Sequence, residues 1–203
     1  MIVYELVVKP LLGLEVFVTE KDMKRRTLEI AILLNQKFRN KKLTVVISLK
    51  GAKWFANEVI KHLSPELDIR IVNVRIKSYR EDKAGQIQVL LDLDKNDIIG
   101  RDVVVIEDIV DSGITIIHLI SMIKAKGGCA ITVVAMIDKP NDHDKINSEV
   151  NEFIVGFVYK EKKFLIGCGL DYDEFFRLLR NLYKIPKLWK IRLFVKIVKF
   201  FKP

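Results

Sequence analysis

The 203-residue chain is predicted to adopt an α/β fold with a mostly parallel central sheet flanked by helices. Three observations predict this fold. Apolar runs that suit buried strands alternate with segments that carry apolar residues at helical spacing. Half of the residues are hydrophobic, which suffices for a sizeable core. In residues 103–115, a β-branched run leads into two acids, a polar turn with one glycine and the start of a helical pattern.

The strands are predicted from runs of β-branched and other apolar residues. They span residues 43–49, 69–77, 88–92, 103–106, 131–137, 153–159 and 163–167. The helices are predicted from apolar residues three or four positions apart. One helix begins at Thr19, a second follows Ala52, and a third spans residues 116–126. Strands that alternate with helices in this way are typical of a parallel sheet.

Other segments carry weaker signals. Residues 1–18 are mixed apolar and weakly strand-like. Polar residues predict loops over 78–88 and 141–151. Residues 171–182 predict either a short helix or an extended turn.

The composition is typical of a protein from a reducing compartment. Both cysteines, Cys129 and Cys168, lie in apolar segments and are predicted to be buried free thiols. Glu5 and Lys9 interrupt the N-terminal apolar residues, so no signal peptide is predicted, and no apolar run reaches the length of a membrane span. The predicted location is the cytoplasm, with peripheral membrane contact through the C-terminus as an additional option.

The excess positive charge lies at the C-terminus. The formal net charge is +9, and the tail, residues 187–203, carries six cations and no acid, which leaves +3 for the body. A body so mildly basic does not predict nucleic-acid binding. In the tail, apolar residues alternate with the cations near the helical period, which predicts a basic amphipathic helix. Three interpretations remain open: a helix on an anionic membrane, a helix docked on a partner or second subunit, and a helix packed on its own body.

Residues 103–115 have the features of a phosphate site. A turn that opens a helix presents free backbone N–H groups, and the helix dipole favours an anion there. Gly113 lets the backbone approach a phosphate closely. Glu107 and Asp108 add carboxylates that suit hydroxyl groups or a metal ion. The predicted ligand is a phosphorylated sugar, and Lys50, in the turn after another strand, is expected at the same carboxyl edge of the sheet.

This stretch resembles the 5-phosphoribosyl-1-diphosphate (PRPP) motif of type I phosphoribosyltransferases: a hydrophobic run, two acids, two apolar residues, Asp-Ser-Gly, a variable residue and Thr. Four further segments narrow the resemblance to the hypoxanthine (hypoxanthine-guanine) phosphoribosyltransferases. They are residues 49–52, residues 77–79, Lys139 after a strand, and residues 163–172. The resemblance runs from Val18 to Ile185. It implies a type I phosphoribosyltransferase fold with a small hood, in a domain over residues 1–186 that the tail follows.

The resemblance implies an enzyme of purine salvage. Such an enzyme transfers the 5-phosphoribosyl group of PRPP to N9 of hypoxanthine, and also of guanine, and gives IMP or GMP and pyrophosphate, with Mg2+ as cofactor. It also implies a homodimer or homotetramer. The alternatives are transfer to xanthine or another base, and a regulator of the same fold that binds nucleotide or nucleic acid without turnover. The retained Asp111, Lys139 and Asp171 argue against the regulator.

The resemblance assigns the PRPP site residue by residue. Glu107 and Asp108 resemble the pair that holds the ribose hydroxyls and a magnesium ion, and Asp111 resembles the general acid/base near purine N7. The residues that resemble the 5′-phosphate cradle are Asp111, Ser112, Gly113, Ile114 and Thr115. Lys50 and Gly51 resemble the pyrophosphate-binding turn, which in this family often contains a non-proline cis peptide.

The purine site is assigned in the same way. Lys139 resembles the donor to the 6-oxo group, and Phe164 resembles the ring that stacks on the base. Leu165 resembles the residue whose backbone reads the base edge, and Asp171, also assigned to this site, resembles a second magnesium ligand near the pyrophosphate. Taken alone, Lys139 is typical of a surface lysine and Phe164 of a core aromatic. Their order along the chain favours the site.

Two further roles concern the rim of the site. Ser78 and Tyr79 resemble the start of a lid that closes over the reaction and excludes water. Arg177 resembles a residue that helps to bind pyrophosphate. Residues 80–85 contain fewer small hydroxyl residues than the family's lid, which affects the expected closure rather than the expected reaction.

Overall fold

The computed structural model describes residues 2–78, 87–140 and 144–200, with the backbone alone at residues 2–5, 77–78 and 144–145. The chain forms two compact units. The central unit is Arg26–Lys160, and the terminal unit combines Met1–Arg25 with Glu161–Pro203. Each unit contains its own sheet and its own apolar cluster.

The described residues contain seven helices and nine strands. The helices are α1 (Ile2–Leu12), α2 (Glu20–Lys37), α3 (Ala52–Ile60), α4 (Lys95–Ile98), α5 (Ile114–Ala125), α6 (Asp144–Glu149) and α7 (Leu188–Phe200). The strands are β1 (Glu15–Val18), β2 (Lys42–Ser48), β3 (Asp68–Ser78), β4 (Ile87–Leu91), β5 (Asp102–Val110), β6 (Ile131–Asp138), β7 (Glu152–Val158), β8 (Phe164–Ile166) and β9 (Leu182–Ile185). Within this described part, no helix combines the length and the hydropathy needed to cross a bilayer.

The sheet of the central unit has the strand order β4-β3-β2-β5-β6-β7. Its neighbours pair in parallel, except that β4 lies antiparallel to β3 at the edge. The central strands β2, β5 and β6 are almost entirely buried, because helices cover both faces of a parallel sheet and both faces therefore accept β-branched residues. Parallel pairing places the carboxyl ends of these strands at one edge, where Ser48, Val110 and Asp138 end them.

Helix α5 joins the core of the central unit through one apolar face. Ile116, Leu119, Ile120 and Ile123 are all buried, and they belong to the same cluster as residues of β5 and β6. This face fixes the direction of α5, so that its N-terminus follows directly from the carboxyl end of β5. The predicted order of strand, turn and helix is present here.

The terminal unit has a three-stranded antiparallel sheet in the order β1-β9-β8. Helix α1 packs into its apolar cluster through Val8 and Leu12, and helix α7 packs through Ile191 and Val195. The C-terminal helix therefore packs on its own body, which was one of the three interpretations of the tail. The predicted boundary at residue 187 stays a prediction, although α7 contributes to the core of the terminal unit.

Two segments differ from their predicted secondary structure, and in a third the structure takes one of two predicted forms. Residues 1–18 are not mainly strand-like, because packing of Val8 and Leu12 favours a helix over the β preference of their neighbours. The predicted loop 141–151 contains α6, whose Ile146 is buried in the central cluster. Residues 171–182 take the second of their two predicted forms. They form turns that lead into β9, because positive φ angles, including those of Asp173 and Glu174, interrupt any helix.

Candidate active site

A polar cavity of about 180 Å³ lies at the carboxyl edge of the central sheet. Its lining includes the end of β5, the following turn and the first turn of α5. The lining residues are Ser48, Ile76, Glu107, Asp108, Ile109, Val110, Asp111, Ser112, Gly113, Ile114, Thr115 and Ile116. All seven residues predicted to bind the phosphoribosyl group are among them. The structure thus brings this predicted set together around one cavity.

The carboxylate pair sits where β5 approaches the cavity. Glu107 is only 6% exposed, and its Oε1 accepts a hydrogen bond of 3.1 Å from the backbone N–H of Asp108. Asp108 Oδ1 accepts one of 2.8 Å from the N–H of Ile109. Burial, and then the nearby Asp108 carboxylate, raise the pKa of Glu107 well above its usual range. A bound cation would favour the ionised form of this pair.

Ser48 is a site residue that the sequence analysis missed. It ends β2 beside β5, is 7% exposed, and makes a side-chain hydrogen bond with Glu107 that acts to lower the pKa of that carboxyl. A polar residue at the carboxyl end of a mostly apolar, buried strand is the signal that identifies such a position. Ile76, which also lines the cavity, carries no comparable signal because it continues the apolar pattern of β3.

The turn at Lys50 and Gly51 lies directly against Asp108 of the carboxylate pair. The Leu49–Lys50 peptide bond is cis, as the family resemblance implied. A Cβ atom placed on Gly51 would lie 1.5 Å from Asp108 Oδ2, so no side chain fits at this position while Asp108 keeps its place. Both predicted residues of the pyrophosphate turn therefore follow β2 at the carboxyl edge that also carries Asp108.

The turn after β5 is built to leave backbone N–H groups available. Gly113 has φ of +72° in the left-handed region and precedes the first residue of α5. The first helical hydrogen bond runs from the N–H of Ile117 to the carbonyl of Gly113, at 2.9 Å. The N–H groups before Ile117 have no acceptor within α5 and point towards its N-terminal end, where the helix dipole favours an anion. Ser112 and Thr115 add hydroxyl groups to the same lining.

Asp111 and Lys139 meet across neighbouring strands. Asp111 follows β5, Lys139 follows β6, and the backbone N–H of Lys139 donates to the carbonyl of Val110 at 2.9 Å. This bond brings Lys139 Nζ to 3.8 Å from Asp111 Oδ2. Both side chains keep about three tenths of their surface in solvent, at 28% for Lys139 and 30% for Asp111. The two groups are therefore accessible to a ligand as well as to each other.

Four predicted residues lie in the terminal unit. Phe164, which is 45% exposed, stands edge-to-face against Tyr172 with ring centroids 5.6 Å apart. Leu165 is buried, and its backbone pairs with β9. Arg177 forms an ion pair of 2.8 Å with Asp171 and donates to the carbonyl of Gly169 at 2.9 Å. The roles of these four residues in binding purine, magnesium and pyrophosphate stay predictions.

The predicted lid begins at the end of β3. Ser78 is the last residue of this strand, and β4 returns antiparallel to it from Ile87. The second lid residue, Tyr79, lies outside the described residues. The lid therefore stays a prediction.

The family of the chain follows from residues 19–173, which match the model of the phosphoribosyl transferase domain. The chain belongs to the phosphoribosyltransferase family. It is 33% identical over 172 residues to a hypoxanthine-guanine phosphoribosyltransferase of Streptococcus thermophilus, a match that covers 81% of this chain and 89% of that protein. It is 28% identical over 165 residues to one of Bacillus subtilis, with the same coverage.

Solved structures agree with these matches. A hypoxanthine phosphoribosyltransferase of Staphylococcus aureus aligns with a TM-score of 0.74 and 28% identity, over 84% of this chain and 90% of that one. A hypoxanthine-guanine phosphoribosyltransferase of Bacillus anthracis aligns with a TM-score of 0.70 and 26% identity, over 84% and 95%. The predicted fold class and the predicted family are confirmed.

The carboxylate pair of this phosphoribosyltransferase suits a magnesium ion. Among the described residues, no group of three or more His, Cys, Asp or Glu side chains is arranged to hold a metal. Mg2+ usually binds through one or two carboxylates and keeps water and substrate phosphate as its other ligands. Glu107 and Asp108 match that partial set. The pKa of Glu107 is raised first by burial and then by the Asp108 carboxylate, and a bound cation would offset both effects.

Proposed function

We propose that this phosphoribosyltransferase transfers the 5-phosphoribosyl group of PRPP to N9 of hypoxanthine, and also of guanine, giving IMP or GMP and pyrophosphate in purine salvage. The observation that carries the proposal is the contact between Asp111 and Lys139 beside the phosphate turn. The names of the relatives support the same reaction.

The contact between Asp111 and Lys139 matches one edge of a 6-oxopurine. Guanine presents N7 and O6 side by side on that edge, whereas adenine presents N7 and an amino donor. An ammonium group at Lys139 donates to O6 but has no acceptor in the amino group of adenine. Asp111, 3.8 Å from Lys139, then lies beside N7. A base that carries a 6-oxo group is therefore the better ligand.

The reaction exchanges one bond at C1′ of the ribose for another. The bond from C1′ to the pyrophosphate oxygen breaks, and the bond from N9 to C1′ forms, through a transition state with oxocarbenium character. Attack by N9 leaves a proton at N7, and Asp111 takes it as general base. The leaving pyrophosphate is held by the turn at Lys50 and Gly51, together with Arg177. Positioning and charge stabilisation provide most of the acceleration.

The phosphoribosyl group is held by the cavity at the end of β5. The backbone N–H groups and hydroxyls of residues 111–115 bind the 5′-phosphate, and Glu107 with Asp108 binds the ribose hydroxyls. Glu107 and Asp108, with Asp171 as a second ligand, would hold Mg2+, and the ion would supply positive charge to balance that of the pyrophosphate. Phe164 stacks on the base, Leu165 reads its edge through the backbone, and the lid from Ser78 and Tyr79 excludes water.

The assembly and location remain part of the proposal. A homodimer or homotetramer in the cytoplasm is proposed on the resemblance to the family.

The direct test is product identification. The purified chain is incubated with PRPP, Mg2+ and hypoxanthine, and IMP and pyrophosphate are quantified together; equal amounts of both are expected. Asp111→Asn is expected to lower kcat by about 10²–10⁴-fold without loss of fold, because it removes the general base. Asp94→Asn is the matched control, since Asn caps a helix as well as Asp does. Wild-type turnover in the Asp111 variant would remove its acid/base role, and absence of product from folded wild type would overturn the proposed function.

A further inference from the structure

Helix α7 has one apolar face that is buried in the terminal unit and another whose side chains are exposed. Ile191 represents the face that is buried in the core of the terminal unit. On another face, Trp189, Leu193 and Ile197 follow at intervals of four residues and are 61%, 52% and 48% exposed. Phe200, three residues further, is 82% exposed. Side chains at these spacings share one face of a helix.

Helix α1 extends this exposed face. Leu11 and Leu12 line a shallow apolar cavity of about 260 Å³ together with residues of α7. Val7 and Leu11, one helical turn apart, are 59% and 56% exposed. We call the set Val7, Leu11, Trp189, Leu193, Ile197 and Phe200 the outer apolar surface. Six large apolar side chains from two adjacent helices form a surface that is unusual on a protein without a partner.

Cations border the outer apolar surface on α7. With about 100° of rotation per residue, Arg192, Lys196 and Lys199 fall on one side of the exposed apolar strip and Lys190 falls on the other. Helix α7 contains no acidic residue. Its described cations extend from a helix that is already anchored in the core, so their positions relative to the apolar strip are fixed by that packing.

We propose that the outer apolar surface binds an anionic lipid bilayer, with α1 and α7 lying in the plane of the interface. An apolar strip bordered by Lys and Arg, with Trp and Phe on the apolar side, is the pattern of an interfacial helix. An exposed tryptophan suits the headgroup level, where one part of the ring is apolar and the other is polar. Both helices lie outside residues 19–173, so the family's enzyme domain does not account for this surface.

Charge argues for a lipid surface over a second copy of the chain. A two-fold contact between copies places the same patch on both sides. Lys190, Arg192 and Lys196 would then meet their own counterparts, with no acidic residue on either α7 helix to balance them. An anionic membrane offers the opposite charge to all three of these cations at once, whereas Lys199 already forms an ion pair with Asp173.

The test measures binding of the full chain to lipid vesicles by flotation. Vesicles contain either phosphatidylcholine alone or phosphatidylcholine with an equal amount of phosphatidylglycerol. The chain is expected to float with the anionic vesicles, to bind the neutral ones about tenfold or more weakly, and to lose binding as salt rises. Blue-shifted fluorescence on binding, absent in Trp189→Phe, is the expected spectroscopic sign of burial of that ring.

Two pairs of variants separate the apolar and charged parts. Leu193→Glu with Ile197→Glu is expected to abolish binding, whereas Leu33→Glu is the matched control, since Leu33 is exposed to a similar degree (46%) on α2. Lys190→Gln with Lys196→Gln is expected to weaken binding by about fivefold for each cation removed. Lys95→Gln with Lys162→Gln removes the same charge elsewhere and is expected to change binding little.

Several outcomes would overturn the proposal. The folded wild type could fail to bind anionic vesicles. The target and control variants could lose vesicle binding equally, or Leu193→Glu with Ile197→Glu could leave vesicle binding unchanged. A smaller oligomer in that last variant, measured by light scattering without lipid, would assign the surface to a second copy and overturn it as well. Circular dichroism establishes folding, and phosphoribosyl transfer in solution is expected to stay at the wild-type level. The result is therefore independent of the proposed function.

Discussion

At the scale of single residues, the site holds two carboxyl groups close together, and one of them is buried. Glu107 is buried beside Asp108, and its pKa is raised above the usual carboxyl range. The folded chain therefore holds the Glu107 proton more tightly than the unfolded chain does. Its contribution to stability is complete at low pH and is lost as the pH rises through the raised pKa of the folded state.

Replacement of this carboxyl tests that reasoning. Without Mg2+, the free energy of unfolding of the wild type is expected to fall as the pH rises from the ordinary carboxyl pKa to neutrality. In Glu107→Gln this fall is expected to be smaller, because Gln does not titrate. Each unit by which the pKa is raised corresponds to about 1.4 kcal/mol. Urea unfolding at several pH values measures the difference, and Glu66→Gln, at an exposed position, is the control. Equal pH slopes in wild type and Glu107→Gln would contradict the assignment.

Gly51 provides a second prediction at this scale. Gly51→Ala places a Cβ atom 1.5 Å from Asp108 Oδ2 in the present geometry, so Asp108 or the turn must move. Because both hold substrate in the proposed reaction, kcat/KM for PRPP is expected to fall by about tenfold or more. Gly100→Ala is the control: its Cβ meets open space, and its φ of +67° costs about 1 kcal/mol of stability without altering the kinetics. Wild-type kinetics in Gly51→Ala would contradict this account of the turn.

At the scale of elements, local sequence predicts what local forces decide. The buried strands β2, β5 and β6 are evident because their β-branched runs suit a sheet that is covered on both faces. Helices α1 and α6 are not evident from the sequence, because each is stabilised by a few residues that pack into a core built largely from residues far away along the chain. For residues 171–182 the sequence does not decide between a short helix and a turn, because the positive φ angles that exclude the helix fall on residues such as Glu174 and Phe176, which rarely adopt them.

The support of the phosphate turn by α6 is testable by a double-mutant cycle. A Cβ atom on Gly113 would lie 2.8 Å from Ile146 Cδ1, and the backbone at Gly113 has φ of +72°. Gly113→Ala is expected to lower the free energy of unfolding by more than about 1 kcal/mol, from strained φ and from the clash. In the double variant, Ile146→Ala relieves the clash but not the strained φ. The double variant is therefore expected to lose less stability than the sum of the losses in the two single variants. Additive losses would show that α6 does not confine the turn.

At the scale of the whole molecule, the two ends of the chain meet in one unit. Helix α7 contributes Ile191 and Val195 to the core that α1 also enters. Deletion of residues 187–203 is therefore expected to destabilise the terminal unit by roughly 3–6 kcal/mol, since each lost side chain is worth about 1.5–3 kcal/mol. Urea unfolding measures the loss. A Lys190→Gln, Lys196→Gln chain is the control, because it removes charge and keeps the core. Unchanged stability after the deletion would contradict the packing of α7.

The candidate site combines what sequence predicts with what only the fold supplies. The PRPP residues were predicted together because they are contiguous in residues 107–115. Lys139 was assigned by resemblance alone, and its distance of 3.8 Å to Asp111 follows from the parallel pairing of β5 and β6. Ser48 joins the site because parallel pairing sets β2 beside β5. Its hydrogen bond with Glu107 connects residues 59 positions apart, so the sequence alone does not reveal this role.

The charges after β5 and β6 are expected to select a 6-oxopurine as acceptor of the phosphoribosyl group. A competition assay tests this selection: the chain receives PRPP and Mg2+ with hypoxanthine, guanine, xanthine and adenine at equal concentrations, and the nucleotide products are separated and quantified. IMP and GMP with almost no AMP are expected, together with a loss of this preference in Lys139→Ala. AMP as the main product, or an unchanged preference in Lys139→Ala, would contradict it.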